Sequence, residues 1–196
     1  GGVWNDSGRM GAGGAIYGQS YTCSIEAGSS GGNGQFPSPD PIEGYGGKGG
    51  GGVILSAQDI IINAHIVMDG ISGNALSDAI NAGGGGAGGG VLIIGNRVTL
   101  LESANLSVNA GHGGASVYNV YGGGGGGGRI KIFHDTYLNI ISSQNMFSAK
   151  GGSGGRKPED SLDSTKPGQD GMEGTVNTDL FDLYPVKATL GEETIM

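Results

Sequence analysis

The chain has 196 residues, 46 of them glycine, and carries 18 acidic against 10 basic side chains for a formal net charge of −8. The few cations are scattered rather than gathered into a stripe that could neutralise phosphates, which argues against a nucleic-acid partner, and no apolar run reaches the roughly 18 residues of a membrane-spanning helix. A lone Cys23 excludes a disulfide framework within the chain; it reads either as a small buried hydrophobe beside Ile25 or, in a secreted protein, as the thiol of an intermolecular disulfide.

Residues 1–45 are the least regular part and read as an N-terminal capping or edge region. The chain opens on Gly1-Gly2-Val3, which suggests a processed product or a piece of something longer. Asn5-Asp6-Ser7 is an N-glycosylation sequon and therefore a secretory hint. Gly13-Gly14-Ala15-Ile16 resembles a degenerate glycine-to-strand junction, and Phe36-Pro37-Ser38-Pro39-Asp40-Pro41 must be extended, because proline fixes φ and biases its predecessor away from helix.

Residues 46–176 hold three glycine runs that each lead directly into a β-type apolar segment: Gly49–Gly52 into Val53-Ile54-Leu55, Gly88–Gly90 into Val91-Leu92-Ile93-Ile94, and Gly122–Gly128 into Arg129-Ile130-Lys131-Ile132. The runs end at Gly52, Gly90 and Gly128, 38 residues apart both times, and an unchanged period of that length marks a repeat architecture. The expected fold is all-β, a parallel β-helix or solenoid-like stack of coils of about 38 residues with polyglycine segments in a polyproline-II-like conformation. Each coil has a first strand, a polar turn (Gln58-Asp59, Asn96-Arg97, His134-Asp135), a second segment and a third. Alternation places Ile54, Leu92 and Ile130 inside with Ile94 and Ile132 two residues on, because Arg129 and Lys131 at the alternate positions would not be accepted unpaired in a closed interior. In the third segment Ile66, Met68, Leu106, Val108 and Met146 face inward. Asn105 and Ser107 of the second sequon, Asn105-Leu106-Ser107, then face outward, as a glycan on Asn105 would require.

Glycine inside a regular element costs about 0.5–1 kcal/mol relative to alanine, so the runs need a compensating role. Without Cβ, extended backbones can pack closely against one another, and a floppy linker would have no reason to end at the same position in each coil. Residues 177–196 read as a final strand or extension.

Chemistry is sparse. His65, His112 and His134 show no zinc-ligand spacing. Asp160, Asp163, Asp170 and Glu173 could gather around Ca²⁺ but lack the spacing of a calcium loop, and a solvated acidic loop is the simpler reading. No cofactor is expected. Asp59, Arg97 and Asp135 align at one coil position, either as a charge ladder or as the lining of a sugar-binding groove.

The pattern of glycine run, short strand, polar turn and second strand followed by Asp-Gly or Asn-Ala-Gly resembles the glycine-rich coil repeats of large secreted or cell-surface proteins of protists and some bacteria. Gly122–Ile132, Ser107–Gly111 and Gly174-Thr175-Val176 carry the likeness best. It is similar also to the glycine-rich extracellular domain of certain receptor tyrosine kinases, which fits the strict strand repeat less well. The first resemblance implies a non-enzymatic structural protein outside the cell, a subunit or segment of a filament, stalk or appendage that associates with further copies or further repeats. The alternative is a glycan-binding or polysaccharide-degrading domain of a surface protein.

Overall fold

Where each glycine run gives way to Val, Ile and Leu, the backbone becomes a strand, the state in which β-branched side chains pack best. The computed structural model describes residues 12–15, 18–19, 22–34, 44–74, 82–116, 121–141, 146–156 and 167–180. Its elements are β1 (Gly52–Ile62), β2 (His65–Val67), β3 (Gly90–Leu100), β4 (Asn105–Ser107), β5 (Arg129–Ile140), β6 (Phe147–Ser148) and β7 (Thr175–Leu180), with no helix among the described residues. The polar turns expected at Gln58-Asp59, Asn96-Arg97 and His134-Asp135 do not break the chain, since each lies inside one long strand.

The parallel β-helix or solenoid expected from the period is corrected. The strands form two open parallel sheets, one of four strands in the order β1-β3-β5-β7 and one of three in the order β2-β4-β6, and they do not close into a solenoid. The reason lies in the glycine segments, which build no β ladder. Along one run, Gly84, Gly85 and Gly86 donate to Gly32, Gly123 and Ile71, and Ala87, Gly88 and Gly89 then donate to Ser29, Gly126 and Met68, all at 2.8–2.9 Å. Every third residue returns to the same neighbour. That is the three-residue turn of polyproline II, a conformation with no internal hydrogen bonds whose N–H groups must all find partners elsewhere. The segments therefore make an array bonded in three directions, where a sheet wall would be bonded in two.

Register sets which side chains meet. β1 pairs with β3 from Gly52↔Gly90, a step of 38 residues, but β3 pairs with β5 from Gly90↔Arg129, a step of 39. Arg129 thus takes the place of the glycine that closes the two earlier runs, and alignment on Gly128 is one residue out. The inner face of the large sheet is Val91 and Ile93 of β3 and Ile130 and Ile132 of β5, with Val53 and Leu55 of β1 packed alongside. Ile54 is 56 % exposed, which overturns its inward placement. Leu92 is fully buried but shares its row with Ile54 and Lys131 on the opposite face, and Ile94 pairs there with Ser56 and Phe133, only half-buried. A one-residue slip exchanges the two faces of a strand, which accounts for all three differences. Ile130 and Ile132 lie in the core, as do Leu106, Val108 and Met146 of the other layer, with Ile66 and Met68 packed against it.

The glycines are held by close approach. A Cβ on Gly125 would fall within the van der Waals shell of the Gly86 carbonyl, whereas one on Gly51 would meet only the flexible Met68 Sδ at 3.3 Å. Gly125→Ala should therefore lower stability by at least about 3 kcal/mol or prevent folding, while Gly51→Ala should change it by less than about 1 kcal/mol. Chemical denaturation of the two variants checks this, and equal losses would show that the array is not tightly packed.

Candidate functional site

The outer face of the large sheet carries three rows across its strands: Gly52, Gly90, Arg129 and Thr175; Ile54, Leu92, Lys131 and Asn177; and Ser56, Ile94, Phe133 and Asp179. A strap made by the described residues between Gly18 and Ala27 crosses this face. Ile25 lies so close over Gly90 that a side chain there would collide with it. On this face Leu92, Lys131 and Phe133 are buried.

Lys131 fastens the strap. Its ammonium donates to the carbonyls of Thr22 at 3.0 Å and Ser24 at 2.8 Å, so the buried charge is solvated by backbone dipoles. Burial, and secondarily the charge of Arg129, push its pKa below the ordinary lysine value. Arg129 completes the clasp, donating to Gly18 O at 2.7 Å and to Thr175 Oγ1 at 2.8 Å. A small cavity between strap and sheet is lined by Gln19, Glu26, Arg129 and Lys131 among others. With both cations engaged by the strap and the sheet, it is a seam.

The row of Asp59, Arg97 and Asp135 is only partly assembled. Arg97 donates from Nε and Nη2 to both carboxylate oxygens of Asp59, the second bond at 2.8 Å, and both side chains are exposed. This hydrogen bond lowers the Asp59 pKa and raises that of Arg97. A register irregularity between Gly95 and Arg97 brings Tyr137 opposite Arg97, so Asp135 is two residues short of the row. The charge ladder stops at the Asp59–Arg97 pair, and the alternative, a groove lined by all three, does not form.

A third set of polar groups lies where the small sheet passes into the glycine array. Asp69 accepts from the Asn109 amide at 2.7 Å and from Ser107 Oγ at 2.6 Å, and Asn109 Oδ1 in turn accepts from the Lys150 amide at 2.8 Å and from Ser148 Oγ at 2.6 Å. Three residues on, Ser72 Oγ accepts from the His112 amide at 3.0 Å and His112 Nδ1 from the Ser153 amide at 2.9 Å. Ser153 Oγ is also 2.9 Å from His112 Nδ1, a spacing suggestive of nucleophile and base. The ring nitrogen nevertheless already serves as a backbone cap, repeating the part Ser72 plays one repeat earlier. Such caps satisfy amides that an extended segment leaves unpaired.

Other residues singled out from the sequence fall as follows. Cys23 is an exposed free thiol in the strap. Asn105 is half-buried in β4, and the Ser107 hydroxyl of its sequon is buried against Asp69. Asn5, Asp160 and Asp163 lie outside the described residues. Among the described residues no group of three or more His, Cys, Asp or Glu is gathered to hold a metal ion, and no helix is long and apolar enough to cross a membrane. No local signal announces the strap, because Lys131 beside Arg129 reads as an ordinary solvent-facing charge.

The ends of the assembly are its most exposed apolar parts. Strand β3 is buried along most of its length, while β1 and β7, the outer strands, are exposed along most of theirs. Ile61 and Leu180 are each 70 % exposed, accompanied by Ile54, Val67 and Ile71 at one end and Met172 and Val176 at the other. No protein-family model matches the chain, and no curated protein or solved structure matches it.

The lowered Lys131 pKa sets a pH dependence. The native amine releases its proton at lower pH than the unfolded one, so the unfolded chain binds more protons between the two values and stability rises with pH across that window. Denaturant midpoints of the wild type relative to Lys131→Met should therefore climb between neutral pH and about pH 10. Hydrogen exchange at residues 22–27 should accelerate in the variant, and an unchanged strap with a flat difference would remove Lys131 as the fastener.

Proposed function

We propose that the chain is a structural element of an extended extracellular assembly, joined to further copies or further repeats through its open ends. The observation that carries this reading is the contrast between the buried strand β3 and the exposed apolar outer strands β1 and β7. An unpaired, apolar parallel edge is a liability that proteins usually blunt or cover. Among the described residues both ends of one sheet leave such an edge, and the glycine array runs alongside it.

The polar groups support the same reading. The Lys131 clasp, the Asp59–Arg97 pair and the caps on Asp69, Asn109 and His112 are each spent on neighbouring strands of the protein. The two sequons and the resemblance to secreted glycine-rich repeats support a setting outside the cell. In that setting Asn5 carries an N-linked glycan and Cys23 pairs between molecules, whereas the half-buried Asn105 and the buried Ser107 argue against a glycan on the second sequon.

Electron microscopy and light scattering over a concentration series test the proposal. The expected result is elongated particles that lengthen with concentration at constant width. A compact monomer that stays monomeric to millimolar concentration, or saturable sugar binding by that monomer, would count decisively against it.

A further inference from the structure

We infer that the two ends dock on each other in a fixed register, the β7 end of one copy continuing onto the β1 end of the next. This rests on the structural reading above and names its partner as a second copy of this chain. A head-to-tail contact whose rotation does not close into a ring grows a filament.

The register comes from the array itself. The run before each strand donates to the run before the next: Gly47 and Gly50 to Gly84 and Ala87, Gly85 and Gly88 to Gly123 and Gly126, Gly124 and Gly127 to Gln169 and Met172. Relative to the strand register, each donor bonds to the carbonyl one residue before its counterpart, at all three steps. Carried one step further, the rule assigns the Asp170 and Glu173 amides as donors to the carbonyls of Gly46 and Gly49 in the next copy. Among the described residues those two amides and two carbonyls make no hydrogen bond within the chain. The first run is also exposed every third residue, at Tyr45, Lys48 and Gly51, as a polyproline-II strand lacking its neighbour on one side would be.

Side chains agree with that register. Thr175 would stand opposite Gly52, extending the inner row Val53, Val91, Ile130 and Val176 to Val53 of the next copy. At the junction the exposed Lys48 of one copy lies beside the exposed Glu173 of the other, whereas Asp170 already accepts from the Gly154 amide at 2.8 Å and faces Arg156 within its own chain. In a chain of net charge −8, a cation meeting a carboxylate across the junction sets both polarity and partner.

Cross-linking tests the register in the full chain. Ile54→Cys with Asn177→Cys, in a Cys23→Ser background, places two thiols on neighbouring strands about 4.8 Å apart, within disulfide range. Mild oxidation should give a ladder of covalent dimers, trimers and higher species. Ile61→Cys with Asn177→Cys, displaced along the strand by about 23 Å, should give none. Independently, Lys48→Glu should weaken association roughly fivefold, and Lys48→Glu with Glu173→Lys should restore it. Extended particles without the first cross-link, or with both pairs linking equally, would overturn this junction while leaving the structural reading intact. Absence of any association would overturn both.

Discussion

Close approach of bare backbone is the constraint on which the rest depends. A polyproline-II segment has no hydrogen bonds of its own, and its amides point outward in three directions, so an isolated run would leave every donor to water. Packed together, the runs satisfy one another, but only where no Cβ intervenes, as at Gly88, whose added methyl would strike the Val108 carbonyl. Among the described glycines only Gly18 has a positive φ in the left-handed region. Glycine is used in these runs for its missing side chain, and its usual backbone freedom is not what the array requires.

The array also fixes where the strands begin. Each run delivers its strand beside the previous one, so the two sheets are parallel, and the middle of the large one is covered by the small sheet within and by the strap outside. Parallel sheets are ordinarily buried on both faces and read as continuous apolar runs; Val91-Leu92-Ile93 is such a run, with no exposed surface at all. Lys131 is the exception that makes the outer cover specific. A buried ammonium without partners would be costly, and its bonds to Thr22 and Ser24 hold the strap in one place.

An arrangement that satisfies its interior in this way leaves its ends unsatisfied. Among the described residues the interior strands have neighbours on both sides, whereas β1 and β7 have one each. The same regularity that lets one repeat bond to the next offers the next copy the same bonds, so the interior geometry and the proposed assembly share one physical origin. The polar residues follow suit: Asp69, Asn109 and His112 cap the amides of the following repeat.

That strands begin where the glycine runs end, and that the runs pack closely, was legible in the sequence, because glycine runs and β-branched segments are local signals repeated three times. The step was legible only between the first two strands, since the next is 39 residues, and the polar turns expected inside each coil proved to be continuous strand. The inner placement of Ile130, Ile132, Leu106 and Met146 was legible too, since polar neighbours mark the alternation in β5 and the third segments. Ile54, Leu92 and Ile94 were not, because β1 and β3 are apolar on both faces and nothing local tells one face from the other; a single residue of register, Arg129 in place of a glycine, decides it. The closed solenoid failed for a related reason. A period specifies that segments repeat, but whether they bond in two directions or three depends on backbones far apart in sequence. Tertiary structure alone decided the open sheets, the buried Lys131, the strap it fastens and the displacement of Asp135 by Tyr137, because each rests on contacts between segments that the sequence keeps apart.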